Sequence, residues 1–397
     1  MTTYTSLPEP LLTSNQNEQT EKPKIWLSSP HMSGKEQKYI NEAFESNWVA
    51  PLGKNIDVFE NQVAQFTGTK YAAAVTTGTA ALQLALRLVG VNKGDYVICQ
   101  SLTFVASANA ILYQGAQPIF VDSETKTWGM DPELLEKAIL HSMSLEKKPK
   151  AIIPVHLYGM PVNMVEIMRI AKKYRIPVIE DAAEALGSSI NGKMCGSFGD
   201  FGVVSFNGNK IITTSGGGMI LSDNPKKIEK AKFLATQARE NFPHYQHEEM
   251  GYNYRMSNVL AGIGRGQMEV LEDRIESRRS NFSYYKEHLG QLPGVTFLKE
   301  LEGSISNRWL TIILLDPRLT GGIGREDVRL ALAADNIESR PLWKPMHMQP
   351  LFENAPYFGK GIAMKLFKHG LCLPSGSNLT KQELDRVIGV IKNIMNQ

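Results

Sequence analysis

The feature that most constrains this chain is an alternation, across residues 71–181, of short apolar runs with longer segments of helical period. YAAAV leads into TAALQLALRLVG, DYVIC into FVASANAILY, PIFVD into PELLEKAIL, AIIPVHL into MVEIMRIAKKY, and IPVIED closes the series. Short runs that are apolar throughout suit strands covered on both faces, and parallel pairing requires a crossover, usually helical, between successive strands. The expected fold class is therefore α/β, with a large domain built on a mostly parallel sheet flanked by helices. After Asp200 the order changes. FGVVSF and GGMILS read as two strands joined by a polar, glycine-rich link too short for a helix.

The rest of the chain is read around this core. Residues 1–24 carry almost no periodic apolar content and are expected to be a disordered arm. Tyr39-Ile40-Ala43-Phe44 and Val58-Phe59-Val63-Phe66 recur at helical spacing on either side of Pro51-Leu52-Gly53, which predicts two helices before the first strand. One long helix is expected over residues 257–288. Beyond it, VTFL, WLTIILL, REDVRLALAADN and KQELDRVIGVIKNIM predict a smaller C-terminal α+β domain. The division expected is 25–255 for the large domain and 256–397 for the connecting helix and small domain.

Composition excludes several classes of function. Net charge is only +3, with both signs interspersed and no basic stripe that would track a nucleic-acid backbone. Cys99, Cys195 and Cys372 are far apart and lack zinc-ligand spacing, so neither a disulfide framework nor a metal is expected, and a reducing cytoplasm suits the chain. No run approaches the roughly twenty apolar residues of a membrane span. GIGRG at 262–266 falls inside a helical pattern with no preceding strand, so it fails as a dinucleotide loop. His244, His247 and Glu248 lack a third well-spaced ligand.

Three segments carry chemistry. Asp181 ends the strand IPVIED, at the carboxyl edge where open α/β sheets bind ligands. Lys210 lies in the link between two apolar strands, where partial desolvation favours a neutral, nucleophilic amine able to form a Schiff base. In VTTGTAALQLAL, Gly78 permits close backbone approach, Thr79 is expected to cap the helix, and the first-turn amides form an anion site.

In this order these segments resemble the sugar-nucleotide aminotransferases, pyridoxal 5'-phosphate (PLP) enzymes of fold type I. The resemblance runs over residues 24–397: WVAPLG, TTGTAALQLAL, SLTFVASANAI, PIFVD, VHLYGMPVNM, IEDAAEALGS, GDFGVVSFNGNKIITTSGGGM, GYNYRMSN, RPLWKPMHMQP and LCLPSGSNLT. It is strongest to the branch that makes 4-amino-4,6-dideoxy-N-acetylhexoses for exopolysaccharides and surface glycans. It implies that Lys210 holds PLP as an internal aldimine and shuttles the proton, and that Asp181 keeps the pyridine nitrogen protonated. Phe104 would stack on the ring. Gly78, Thr79 and Ser205 would bind the phosphate from one chain, and Asn253 would reach it from the other, which implies a homodimer with shared sites. Glu184 stands where relatives carry Gln or His near the cofactor, and His156 in VHLYG is a structural group as readily as a catalytic one.

The resemblance also implies a nucleotide-linked keto-sugar and L-glutamate as substrates, with UDP-2-acetamido-2,6-dideoxy-hexos-4-ulose as acceptor and Arg308, Arg340, Lys344 and His347 as its contacts. A dTDP- or GDP-linked keto-sugar is the alternative. A PLP-dependent sugar dehydratase, with His at the lysine position, and a non-catalytic binding module are disfavoured by Lys210, Asp181 and Ser205 standing together.

Overall fold

The computed structural model describes residues 22–395 of the 397. Helices α1 (Glu36–Glu45) and α2 (Lys54–Thr67) precede an alternating series: β1 (Tyr71–Val75), α3 (Gly78–Leu88), β2 (Tyr96–Gln100), α4 (Val105–Tyr113), β3 (Gln117–Val121) and α5 (Pro132–Ser144). The series continues with β4 (Ala151–Ile153), α6 (Met164–Tyr174), β5 (Ile179–Asp181), β6 (Ser189–Ile190), β7 (Lys193–Met194), β8 (Phe201–Ser205), β9 (Gly218–Ser222) and α7 (Pro225–Ala235). The remainder comprises α8 (Asn258–Met268), α9 (Leu271–Leu289), β10 (Val295–Phe297), β11 (Ser304–Ile305), β12 (Thr311–Leu315), α10 (Arg325–Ala334), β13 (Arg340–Pro341), β14 (Tyr357–Phe358), α11 (Ile362–His369), β15 (Gly370–Leu373) and α12 (Lys381–Met395).

The large sheet has the order β1-β9-β8-β5 on one side and β4-β2-β3-β14 on the other, joined by the parallel bridges Ile152–Val178 and Val155–Asp181. Only β9 runs against its neighbours, because the link after β8 holds no crossover helix and so returns the chain antiparallel. Successive residues of one strand enter different cores. Ala73 and Val75 pack under α3, whereas Ala72 and Ala74 pack under α2. That is why the strands read as continuous apolar runs.

The break between α8 and α9 at Glu269–Val270 replaces the single long helix expected over 257–288. Val270 leaves helical geometry at φ −125°, ψ 10°, and its side chain, like that of Leu271, turns into the interior. The GIGRG segment lies in α8 and has a packing reason for its glycines. A Cβ at Gly266 would meet the backbone of Glu36 at 2.6 Å, and one at Gly264 the ring of Phe59 at 2.6 Å. Close seating of α8 on α1 and α2 therefore requires them.

The second sheet, β10-β12-β15-β13, is antiparallel and packs α9, α10 and α12 around Ile313, Leu332 and Ile388. The chain crosses the boundary expected at residue 255 twice more. β14 adds to the large sheet beside β3, and Ile25 pairs with Ile337 and joins the second core. Of the expected arm, residues 22–24 are exposed but tied down, Lys22 pairing with Asp335 and its carbonyl accepting the Asn336 side-chain amide, and residues 1–21 lie outside the described residues. Among the described residues no helix is long and apolar enough to cross a membrane.

Candidate active site

A cavity of about 770 Å³ opens at the carboxyl edge of the large sheet, roofed by Trp309, just before β12, and by the 338–344 segment. It has the size of an ordinary small-molecule site and the position expected of one in an α/β sheet. The chain ends of β5 and β8 bring Asp181 and Ser205 to its floor, the start of α3 brings Gly78 and Thr79, and the start of α4 brings Phe104. The structure thus gathers Lys210, Asp181, Glu184, Ser205, Gly78, Thr79 and Phe104 around one cavity.

Asp181 is buried. Ser107 Oγ donates to its Oδ2 at 2.7 Å and the Ala183 amide to its Oδ1 at 3.1 Å, but no cation stands within salt-bridge distance among the described residues. Burial raises its pKa above the ordinary carboxylate value, against the lowering effect of those donors and of the Lys210 charge. A protonated ring nitrogen is a partner that would relieve this penalty.

Lys210 sits in the link between β8 and β9, its side chain only 12% exposed. Its Nζ stands 3.5 Å from Glu184 Oε1 and 4.2 Å above the centre of the Trp309 ring. Glu184 also accepts the Tyr158 amide at 2.6 Å, and burial, only partly offset by Lys210, raises its pKa to about 7. The sign for stability follows from proton binding. Between pH 4.5 and about 7 folded Glu184 holds a proton that the unfolded chain has released, so stability declines as pH rises through this window. Glu184→Gln is expected to flatten that part of the profile and to be more resistant to urea than wild type above pH 7, as denaturation at a series of pH values would show.

The anion-binding end of α3 differs in one detail from the reading of the sequence. Thr77, not Thr79, is the cap: its backbone is extended at φ −157° and its hydroxyl accepts the Ala80 amide at 2.9 Å. Thr79 lies within the first turn, its hydroxyl free of that task, and faces the cavity. Gly78 packs against the end of β8. A Cβ there would meet Ser205 Cβ at 3.1 Å, so glycine keeps the helix terminus and Ser205 side by side. A buried carboxylate, a half-sheltered amine, a helix N-terminus with two hydroxyls and the ring of Phe104 form a donor set that suits an anionic, aromatic aldehyde cofactor.

The expected substrate contacts divide. Arg340 and Lys344 line the cavity mouth. Arg308 does not: it is buried away from the cavity, stacks on Phe282 at 3.7 Å, pairs with Glu300 and donates to the Leu298 carbonyl at 2.9 Å. Its place just before an apolar strand is consistent with a fixed structural charge. His347 also lies outside the cavity lining, its Nδ1 bonded to Ser101 Oγ at 2.7 Å and its ring stacked on Tyr357 at 3.7 Å. Asn253 is exposed and likewise outside its own chain's cavity lining. His156 is fully buried behind the sheet edge. Val162 N–H donates to its Nδ1 at 3.1 Å, which leaves Nε2–H to donate to Glu180 at 2.8 Å. Glu180 further accepts the amides of Gly196, Phe198 and Gly199, so in the cluster with Cys195 the polar side-chain atoms of His156 and Glu180 are taken up internally.

Reading the sequence missed Ser107, Tyr158, Trp309 and Trp343. Ser107 stands in SLTFVASANAI and could have been suspected as a polar residue in an otherwise apolar helix start. The aromatic residues carry no such signal, because they come from distant segments.

The family model described as the DegT/DnrJ/EryC1/StrS aminotransferase family matches residues 30–392. EpsN of Bacillus subtilis (strain 168), which carries the name of a pyridoxal phosphate-dependent aminotransferase, is 54% identical over 377 residues, spanning 94% of this chain and 96% of that protein. A GDP-perosamine synthase of Escherichia coli O157:H7 is 39% identical over 360 residues, spanning 91% and 95%. Among solved structures, DesI in the presence of its TDP-sugar product superposes with a TM-score of 0.86 at 25% identity, covering 94% of this chain and 93% of that one.

Proposed function

Because this chain belongs to the DegT/DnrJ/EryC1/StrS aminotransferase family and is a PLP-dependent sugar-nucleotide aminotransferase, we propose that it carries an amino group from L-glutamate to C4 of UDP-2-acetamido-2,6-dideoxy-hexos-4-ulose, for polysaccharide or surface-glycan synthesis in the cytoplasm. The observation that carries the chemistry is the meeting of the Lys210 amine and the buried Asp181 carboxylate in one cavity at the N-terminus of α3.

Pyridoxal phosphate, when bound, supplies an aldehyde to receive the amino group and a ring to accept electrons from the substrate carbon. Lys210 would hold the cofactor through its amine and would carry the proton at the reacting carbon, with Glu184, 3.5 Å from Nζ, as the group to take up or return that proton. Asp181, fixed by Ser107 and Ala183, would hold the proton on the ring nitrogen. The amides of α3 with Thr79 and Ser205 would hold the phosphate, and Phe104 would stack on the ring. Arg340 and Lys344 receive the sugar-nucleotide diphosphate at the mouth. Asn253, remote from its own cavity, completes the phosphate site of a second copy, which makes the working unit a homodimer.

The acceptor is tested with a panel of UDP-, GDP- and dTDP-linked 4-keto-6-deoxy sugars, with glutamate as donor and product mass as readout. Efficient amination is expected for the UDP-linked N-acetylated sugar, with kcat/KM at least about tenfold above the others. A GDP-linked acceptor is the second reading, supported by the 39% identity to a GDP-perosamine synthase. A clear preference for it would displace the first.

A further inference from the structure

Lys210 is flanked by two groups of opposite character: Glu184 Oε1 at 3.5 Å on one side and the face of the Trp309 indole at 4.2 Å on the other. A cation within about 6 Å of an indole face is attracted to it, more strongly where water is excluded. Trp309 is 2% exposed and held at three points. Its Nε1 donates to the carbonyl of Asn209, the residue before Lys210, at 2.8 Å. Its amide donates to Asn307 Oδ1 at 2.9 Å, and its carbonyl accepts from the fully buried Arg278 guanidinium. Asn307 in turn donates to the backbone carbonyls of Glu184 and Leu186 at 2.8 and 2.9 Å. One network therefore sets both walls around the amine. The backbone even adopts a left-handed conformation at Arg308, φ +52°, immediately before the indole. Filling an apolar core asks for none of this.

We propose that Trp309 is a positioning residue whose indole face, clamped through Asn209, Asn307 and Arg278, fixes Nζ of Lys210 against Glu184 and, with the cofactor attached, favours positive charge on that nitrogen. This rests on Lys210 being the amine that carries the cofactor. The other charged groups facing the amine's cavity are Asp181 from β5 and Glu338, Arg340 and Lys344 from the roofing segment, and all are retained in the variants that test the idea.

Wild type, Trp309→Phe and Trp309→Leu are prepared as holoproteins, their pH-dependent absorbance is titrated, and each is then reduced with borohydride and peptide-mapped. The expected result is label on Lys210 in all three. The titration midpoint should fall by roughly one pH unit in Trp309→Leu, and by clearly less in Trp309→Phe, which keeps a weaker aromatic face. A midpoint unchanged in Trp309→Leu, or shifted equally by Leu and Phe, overturns the proposal, because apolar volume alone would then account for the residue. If Trp309→Leu does not fold, 5-fluorotryptophan incorporation serves instead, since it keeps the shape and weakens the face. The midpoint should then fall in wild type and stay fixed in Trp309→Phe, and equal behaviour of the two overturns the proposal. Label missing from Lys210 in wild type removes the reading of Lys210 itself, whereas label present with an unmoved midpoint removes only the role of Trp309.

Discussion

Lys210→Ala is expected to lose at least about 10⁴-fold in turnover, because in the proposed function one side chain would supply both the covalent attachment and the proton transfer. The fold should survive. The link around Lys210 is held by backbone groups that alanine keeps: its amide donates to Asn207 O at 3.0 Å, and Asn209 O accepts Ser28 Oγ and Trp309 Nε1, each at 2.8 Å. The lost partner matters most to Glu184, whose raised pKa means that it takes up a proton in place of facing the cavity as an unpaired anion. Far-ultraviolet circular dichroism should match wild type while the borohydride-fixed label at this position disappears. Turnover near the wild-type rate would sink the assignment.

Asp181→Asn is expected to divide stability from activity. Asparagine keeps the shape: its Oδ1 can still accept the Ala183 amide, and its Nδ2 can donate to Ser107 Oγ, whose own proton then turns to Thr103 Oγ1, so the substitution removes a charge and reverses one hydrogen bond. Turnover should fall by about 10³-fold, the scale seen when one preorganised electrostatic contact is removed. Without cofactor, the thermal midpoint should rise, since burial already disfavours the ionised carboxylate in the folded chain. An unchanged rate contradicts the role on the ring nitrogen. A lowered midpoint shows instead that the charge is structurally compensated.

These two residues are legible in the amino-acid sequence because their signals are local. A carboxylate ending an apolar strand and a lysine between two apolar strands each state, within a few residues, where in a sheet they must lie. Thr79 was misread by two positions for the opposite reason. TGT at 77–79 offers two hydroxyls around one glycine, and only the extended backbone at Thr77 decides which of them caps the helix. Arg308 was misread because a basic residue beside an apolar strand looks the same in sequence whether it faces ligand or, as here, Glu300 and Phe282.

What the sequence determined by itself was the class of the fold and where in its sheet the candidate reactive groups lie. Apolar period and helical period repeat within ten or fifteen residues, and the physics that reads them, strand burial and crossover length, acts at that range. Tertiary structure alone decided what surrounds those groups. Trp309 lies 99 positions from Lys210 in the chain and 4.2 Å from it in space, and Asn307 joins Trp309 to the carbonyl of Glu184 across 123 positions. Contacts of that kind arise only when the segment before β12 packs over the sheet edge, and no short-range pattern encodes which side chain that surface will present.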